Sequence, residues 1–584
     1  MRNTSKIIAK FLSPPHRDSH QRFYISLTIR LRSWSIVGLA CLSITSNNTW
    51  GSEIPSTATN VHQNQQLEAL QSHATKQYGL FSKSFQNSIS SLDFPTETPC
   101  VIINSVKWIN ADDFPWLTNQ PPIVGHCVGE QGLNLFRQWV LGEMILRGYL
   151  TSMIRINSQD LSGGHLFVDI VPGRLANIYQ NPSNVGLTNF LFPAHKGDLL
   201  NIRDLDQALE SIRRLPGQAL TAFDLIPGPQ LGDTDIIIQH PTNARSLLGI
   251  VTVDNSGVDA TGRNQLSGIV ALDSPLNLYD QLLLTYSTDA EFNDHTLDSN
   301  SKSVAWNVPI GYASFSLGAS EWKNKQELLK DGLGKSIPYS STTRRFNLGL
   351  SYVTYRSSHS IGSLNGQLIR RQDRSWVGST ELQQMRRDIT SLQISASHKE
   401  KLNNATLDIE LGIRASLPGL SAHPGVTYEE QDWTGHYRIF TAKATVVSGF
   451  SLYSRNFAHQ NSIFLQYSPV STPSTEYLQI GGLYTIRGTS GNAAMSGPNG
   501  WTWRNELATH AFRRSQVYAS LDAGRVAPVN SQHFDDRMLL GSTIGLRGSE
   551  GSLRYNLSIG TQLIRSELPE RRSPVIDFSL SNYF

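Results

Sequence analysis

From Ala244 to Phe584 the helical period disappears and apolar residues recur at every second position. Phe346, Leu348, Leu350 and Tyr352 alternate with Arg345, Asn347, Gly349 and Ser351. Leu407, Ile409, Leu411 and Ile413 alternate with Asp408, Glu410, Gly412 and Arg414. Leu553, Tyr555, Leu557 and Ile559 alternate with Arg554, Asn556, Ser558 and Gly560. Successive side chains of a strand point to opposite faces, so each segment has one apolar and one polar face. Segments of about 8–12 residues begin near 245, 264, 279, 300, 312, 343, 360, 390, 404, 436, 461, 501, 515, 538, 551 and 574. That makes about 16 strands; about 14 or 18 also fit, because such boundaries shift by several residues.

A soluble sandwich shows the same period, so composition has to decide. Charged residues are 17 % of the chain, below the ~25 % of ordinary soluble domains. Mean hydropathy is nevertheless slightly polar, −0.27. Low charge without high hydropathy fits a transmembrane barrel, where each strand alternates lipid-facing and lumen-facing residues. No apolar run reaches the roughly 18 residues of a spanning helix. The formal net charge is +3, with no basic patch, which argues against nucleic acid as a partner. In the final segment Ile576, Phe578, Leu580 and Phe584 share one face. An alternating last strand ending on Phe resembles the address read by the outer-membrane barrel-assembly machinery. Phe578 and Phe584 are therefore the expected assembly signal, and outer-membrane lipid the expected surroundings.

The N-terminal half is organised differently. Arg22, Arg30 and Arg32 precede the short apolar run Ile36–Leu42, and small polar residues follow. Residues 1–51 thus read as an export signal, cleaved between Ala40 and Ser52. Cys41 falls inside it, and Gly38-Leu39-Ala40-Cys41 is a poor lipoprotein box. Cys100 and Cys127 remain, an even number suited to an oxidising compartment. A bridge between them closes a loop of about 28 residues, worth roughly 3–4 kcal/mol on the chain-entropy account. They lack zinc spacing.

Residues 52–98 are polar, with a run of helix formers near 62–78 whose apolar face is thin: Leu67, Leu70 and Ala74. Such a helix is loose or sits in a polar cavity. Residues 99–173 read as strand, helix, strand, strand. Val101–Trp108 is the first strand, Gly132–Arg147 the helix, and Met153–Ile156 and His165–Val171 the hairpin. Residues 174–243 repeat that order. Leu175–Tyr179 is a strand, Ile202, Leu205, Leu209 and Ile212 share a helix face, and Leu220–Ile226 and Thr234–His240 form a second hairpin. The two stretches read as a tandem pair of small α+β domains.

Two barrel segments stand apart. Gln479–Gly491 is Gly-rich and presents one cation, Arg487; Tyr518–Gly524 is a strand with Asp522 among apolar neighbours. An arginine on a loop and a carboxylate on a strand wall can form a bidentate pair, which would pin the loop inside the lumen. The alternative is a solvated Arg487 and an ordinary lumen carboxylate.

These segments are similar to those of the outer-membrane transporters of two-partner secretion, the haemolysin secretion/activation family. The resemblance covers about residues 62–584. In the first repeat it rests on Cys100, Cys127, Gly148-Tyr149, Gln159-Asp160-Leu161, Gly164-His165-Leu166 and Pro172-Gly173-Arg174. In the second it rests on Leu200–Gln207, Arg214-Leu215-Pro216 and Pro227-Gly228. In the barrel it rests on Ile486-Arg487-Gly488, Arg504–Leu507, Asp522-Ala523-Gly524 and Phe584. The resemblance implies two periplasmic POTRA domains and a 16-stranded barrel. It also implies a plug helix matching 62–78, and a loop folded into the lumen with Arg487 facing Asp522. Ile486, Gly488 and Gly524 complete that loop-and-strand motif. Two positions depart from the family pattern: Thr489 replaces an aromatic, and Ala519 stands where Phe is common.

The implied activity is translocation of a large unfolded exoprotein to the cell surface, with no enzyme chemistry and no cofactor. Ile202, Leu205, Leu209 and Leu220 mark a candidate substrate groove beside the second helix. A barrel-assembly insertase is the second reading, though that class usually carries more POTRA units. An outer-membrane hydrolase is a weaker one, since no GxSxG, HExxH or catalytic Cys pattern occurs. A passive porin would have no reason to carry periplasmic domains.

Overall fold

The computed structural model describes residues 93–584, except 118–120, 183–185, 243–244, 295–297, 331–335, 424–434, 528–536 and 565–573. The export region 1–51 and the helix expected at 62–78 lie outside the described residues.

In the first unit Ser105–Ile109 runs parallel to His165–Val171, which pairs antiparallel with Met153–Arg155. Helix α1, Glu130–Leu146, lays Phe136, Val140 and Met144 on this sheet against Val106, Leu166, Val168 and Ile170. The i, i+4, i+8 spacing puts those three on one face. Gly129 cannot cap α1 with a side chain, and Glu97 does so from outside the helix. Its carboxylate accepts from the N–H groups of Gly129, Gln131 and Gly132 at 3.0, 2.8 and 2.7 Å. Desolvation raises the Glu97 acid, but the three N–H donors outweigh it and hold it below the usual range. The Cys100–Cys127 disulfide, with Cα atoms 5.3 Å apart, ties the same segment to the helix start.

The single strand expected over Val101–Trp108 is two. Val101–Ile102 pairs with Cys127–Val128, whereas Ser105–Ile109 joins the main sheet. The chain turns between them because its backbone is claimed from two directions. Gly125 N–H donates to the Ile103 carbonyl, and Asn104 N–H donates to the Gly164 carbonyl.

The second unit repeats the path. Arg174–Asn181 runs parallel to Asp233–Gln239, which pairs antiparallel with the edge strand Ala222–Pro227. Helix α2, Ile202–Arg213, is capped by Asn201, whose side chain accepts from Arg203 N–H at 2.9 Å. Leu205, Ala208 and Ile212 are buried against Leu175, Ile236 and Ile238. In both units the last strand sits between the first and the second. Shared connectivity is a stronger sign of repetition than periodicity.

Sixteen antiparallel strands form a closed barrel among the described residues. They are β1 Leu247–Asp254, β2 Gln265–Asp273, β3 Gln281–Asp289, β4 Asp298–Ile310, β5 Ala313–Lys330, β6 Ser336–Arg356, β7 Ser360–Val377 and β8 Arg387–Lys401. There follow β9 Ala405–Ser416, β10 Arg438–Leu452, β11 Arg455–Tyr467, β12 Asn499–His510, β13 Ser515–Ala527, β14 Met538–Glu550, β15 Leu553–Gln562 and β16 Val575–Tyr583. Most start within a few residues of the sequence expectation. β6 starts earlier than the expected 343, because the strand extends back through Ser340, Ser341 and Thr342 to Ser336. β11 also starts earlier: the preceding turn is just Tyr453-Ser454, both at positive φ. Two residues at positive φ match the twist of a tight hairpin.

The burial pattern is inside-out. Leu348, Leu350, Leu411, Leu465, Leu557 and Ile559 are exposed, while Ser267, Thr285, Ser341, Thr343 and Thr543 are buried. A soluble sandwich would bury the leucines, whereas a barrel in lipid turns them outward. Turns at one end, including Ser274–Asp280 and Gly311-Tyr312, meet the second unit. The long 468–498 connection lies at the other end.

The seam pairs β16 with β1 from Ser579↔Asp254 to Tyr583↔Ile250. Phe584 and Gly249 exchange backbone bonds of 3.0 and 2.9 Å. A Cβ on Gly249 would come within 2.1 Å of the Phe584 ring, so Gly there makes room for the aromatic. Phe578 pairs with Leu557 on β15.

Candidate functional site

The connection between β11 and β12 turns back along the barrel wall. Leu478–Ile480 pairs with Met495–Gly497, and the tip between them carries Ile486, Arg487 and Gly488. Ile480 and Ile486 are fully buried against Val526 and Leu539.

Arg487 reaches two strands. Its Nε donates to Asp522 Oδ2 at 2.7 Å and its Nη2 to Asp522 Oδ1 at 2.9 Å, a bidentate fork. Its backbone N–H adds a bond to Asp522 Oδ2 at 3.1 Å. Its Nη1 donates to Glu506 on β12. Asp522 on β13 is 0 % exposed and also accepts from Asn505 N–H at 3.2 Å. Arg547 on β14 pairs with the other Glu506 oxygen at 2.6 Å, and Arg504 donates to the Tyr484 carbonyl at 3.0 Å. One loop cation thus meets two buried wall carboxylates, and a second cation balances the outer one.

Glycines let the loop lie flat on the wall. Gly488 has φ +81°, a conformation L side chains rarely adopt. A Cβ on Gly541 would lie 2.1 Å from the Arg487 carbonyl oxygen, and one on Gly560 would lie 2.6 Å from Gly488 Cα. A Cβ on Gly524 would meet Ile486 at 3.0 Å. Thr489, in place of the family's aromatic, closes the tip. Its hydroxyl donates to the Ile486 carbonyl at 2.7 Å and accepts from Gly482 N–H at 3.0 Å. The loop root is tied separately: Glu476 accepts from Arg414 on β9 at 2.5 Å, and its carbonyl accepts from Gln466 at 2.8 Å.

Sequence reasoning named Arg487, Asp522, Ile486, Gly488 and Gly524, and these lie together. It quoted Glu506 within the Arg504–Leu507 motif without assigning it a role, and did not single out Glu476, Arg547 or Gly541. Gly541 and Gly560 carried a readable signal, since Gly inside a strand marks close approach by another backbone.

The candidate groove fares differently. Ile202 and Leu209 are half-buried on α2, but Leu205 is part of the packed core. Leu220 precedes the strand instead of opening it, and is 83 % exposed. Thr221 takes the inward slot, its hydroxyl bonded to Gln218 at 2.9 Å. What the second unit does present is the edge strand Ala222–Pro227, with Leu225 and Ile226 exposed.

The far side of α2 is bound to the barrel. Arg356, at the end of β6, donates to Glu210 at 2.5 Å and Gln207 at 2.8 Å. Gln207 donates to the Gly311 carbonyl at 3.2 Å, and the Tyr312 hydroxyl donates to Asp204 at 2.6 Å. Arg214 donates to the Tyr279 carbonyl at 2.6 Å. The Tyr279 ring is fully buried in the second unit's core, its hydroxyl 3.2 Å from His240 Nε2. Burial pushes the Glu210 and Asp204 acids up, against the pull of Arg356 and Tyr312 respectively. Burial also pushes the His240 imidazole down to about 4, so it is neutral in this junction at ordinary pH.

Comparison with known proteins agrees with this architecture. The sequence profile described as haemolysin secretion/activation protein ShlB/FhaC/HecB matches residues 232–548. A ShlB-type POTRA profile matches 103–173, and a second POTRA profile matches 174–221. The outer membrane transporter CdiB-2 of Burkholderia pseudomallei is 26 % identical over 518 residues, 84 % of this chain and 87 % of that protein. The hemolysin transporter protein ShlB of Serratia marcescens is 26 % identical over 439 residues, 73 % of this chain and 75 % of that protein. The structure of CdiB from Escherichia coli superposes with a TM-score of 0.80 at 23 % identity, covering 92 % of this chain and all of that one. A closed barrel behind two POTRA domains, with a profile match across more than half its length, shows that the chain belongs to the ShlB/FhaC/HecB haemolysin secretion/activation family, the outer-membrane transporters of two-partner secretion.

Proposed function

We propose that the chain captures an unfolded partner exoprotein in the periplasm and passes it through the barrel to the cell surface without ATP. The observation that carries this reading is the open edge strand Ala222–Pro227, in a unit whose helix α2 is bonded to the turn end of the barrel. An extended segment can add to such an edge through main-chain bonds, which tolerate varied sequence. The sequence holds no GxxxxGK[ST] phosphate loop. Folding of the emerging cargo outside would block its return and supply direction. In this reading the Arg487 loop narrows the lumen at rest.

The test is secretion of a co-expressed exoprotein with and without this gene. Loss of the surface exoprotein with unchanged levels of other outer-membrane proteins supports the transporter. A general fall in outer-membrane proteins would point to the insertase instead. A finer test is Asp224→Pro and Leu225→Pro. Neighbouring residues of a strand direct their N–H groups to opposite edges, so one of these removes a donor from the open edge while sparing the ladder. That variant should stay folded, by heat-modifiable migration, and secrete at least about tenfold less, the order expected if a main-chain bond and its register are lost. Undiminished secretion from the folded variant would exclude this edge as the docking strand.

A further inference from the structure

The outer wall of β4–β7 changes chemistry abruptly toward the loop end. Val304, Ala319, Phe346 and Arg370 are register partners across these four strands. Below that row the outward positions are apolar and exposed: Leu317, Leu348 and Leu364. The next row toward the loops is Lys302, Glu321, Arg344, Gln372 and, on β8, Asp388. The row after it is Asn300, Lys323, Thr342 and Arg374. Lys302, Lys323, Arg344, Arg370 and Arg374 are all exposed. They begin within one register step of the apolar band, the depth at which lipid tails give way to headgroups.

The acidic neighbours order this cluster without cancelling it. Glu321 accepts from Arg344 Nε at 2.7 Å and pairs with Lys323 at 3.2 Å. Asp388 takes Arg370 in a fork of 3.0 and 2.9 Å. Two carboxylates therefore face five cations, and Lys302 and Arg374 have no ion-pair partner among the described residues. One row higher, Asp298 faces Lys325 and adds no net charge. Adjacent strands are about 4.8 Å apart, so Lys302 and Arg344 stand about 10 Å apart, with Arg374 one strand further on. Guanidinium groups match phosphate oxygens bidentately, and lysine adds a point charge.

We propose that this patch binds the phosphorylated headgroup of an outer-leaflet glycolipid of the lipid A type, with its acyl chains lying on Leu317, Phe346, Leu348 and Leu364. The cations take the place of the divalent ions that otherwise bridge neighbouring phosphates. A tightly held lipid at this position would brace the three longest strands of the barrel among the described residues, β5, β6 and β7.

The full chain, purified in detergent and stripped of lipid, should bind bis-phosphorylated lipid A in native mass spectrometry. Lys302→Gln, Arg344→Gln and Arg374→Gln combined should weaken binding at least tenfold while leaving heat-modifiable migration unchanged. Lys399→Gln, Lys401→Gln and Arg554→Gln combined, at the turn end, remove the same charge and should bind as the original chain does. Dephosphorylated lipid A and phosphatidylglycerol should bind at least tenfold more weakly. Equal binding by the first triple variant would overturn the proposal. So would equal loss in both triple variants, or equal affinity for either comparison lipid.

Discussion

Arg487→Ala is expected to destabilise the loop's seat on the wall by about 3–5 kcal/mol, the usual cost of removing one partner from a buried ion pair. Asp522 has no exposed surface, and without Arg487 its nearest cation would be Arg504 at 3.8 Å, whereas Glu506 would keep Arg547 at 2.6 Å. The penalty is chiefly that of stranding the Asp522 charge, not the net worth of the pair. Asp522→Asn should therefore cost less, because Asn strands no charge and its one oxygen still accepts from either the Arg487 N–H, now on Oδ2, or the Asn505 N–H, now on Oδ1. Arg487→Ala with Asp522→Ala should cost less than the two single changes summed. Urea titration of heat-modifiable migration measures stability, and exoprotein release measures function. Additive losses in the double variant would sink the latch.

Gly541→Val should expel the loop with every charge still present. The new Cβ would sit 2.1 Å from the Arg487 carbonyl oxygen, and the strand backbone cannot withdraw without breaking its ladder with β13 and β15. Overpacking of this kind costs about 1–3 kcal/mol or more where nothing can move. Gly268→Val is the matched control, since nothing lies within 4 Å of its added Cβ. A cysteine introduced by Ser490→Cys reports the outcome through labelling by a membrane-impermeant maleimide. Labelling should rise several-fold with Gly541→Val and stay at baseline with Gly268→Val. Unchanged labelling would mean that the loop can keep its place without Gly541.

These two tests separate charge from shape, and the sequence exposed the two to different degrees. Arg487 and Asp522 are 35 residues apart, and each stood out because a lone charge in an apolar or Gly-rich setting needs a partner. Glu506 lies in a strand of mixed polarity, where one carboxylate looks like any other lumen residue. Gly541 and Gly560 signal close approach by another backbone, but the sequence does not say which segment approaches, because the tip of the loop lies far from both in the chain. The barrel was legible because lipid and lumen enforce a strict two-residue period on every strand. The periplasmic units were legible in order but not in register. Leu220 looked like a strand residue, yet Gln218 accepts from Thr221 and lies 2.9 Å from His240 Nδ1. This polar pocket rewards Thr221 pointing inward and leaves Leu220 outside. The junction with the barrel was invisible, since Arg356 and Glu210 are 146 residues apart.

If the edge strand captures cargo as proposed, that junction sets the geometry of capture. Helix α2 is packed into its own sheet on one side and bonded to Gly311, Tyr312 and Arg356 on the other. The edge strand Ala222–Pro227 therefore cannot swing away from the pore mouth without breaking both sets of contacts. A segment resting on that edge is tethered at a nearly constant distance from the lumen, and a short tether corresponds to roughly millimolar local concentration. On the proposed reading, once the edge is occupied, entry no longer depends on how much cargo the periplasm holds. It becomes a unimolecular event whose rate is set by the few residues of chain between the edge strand and the barrel.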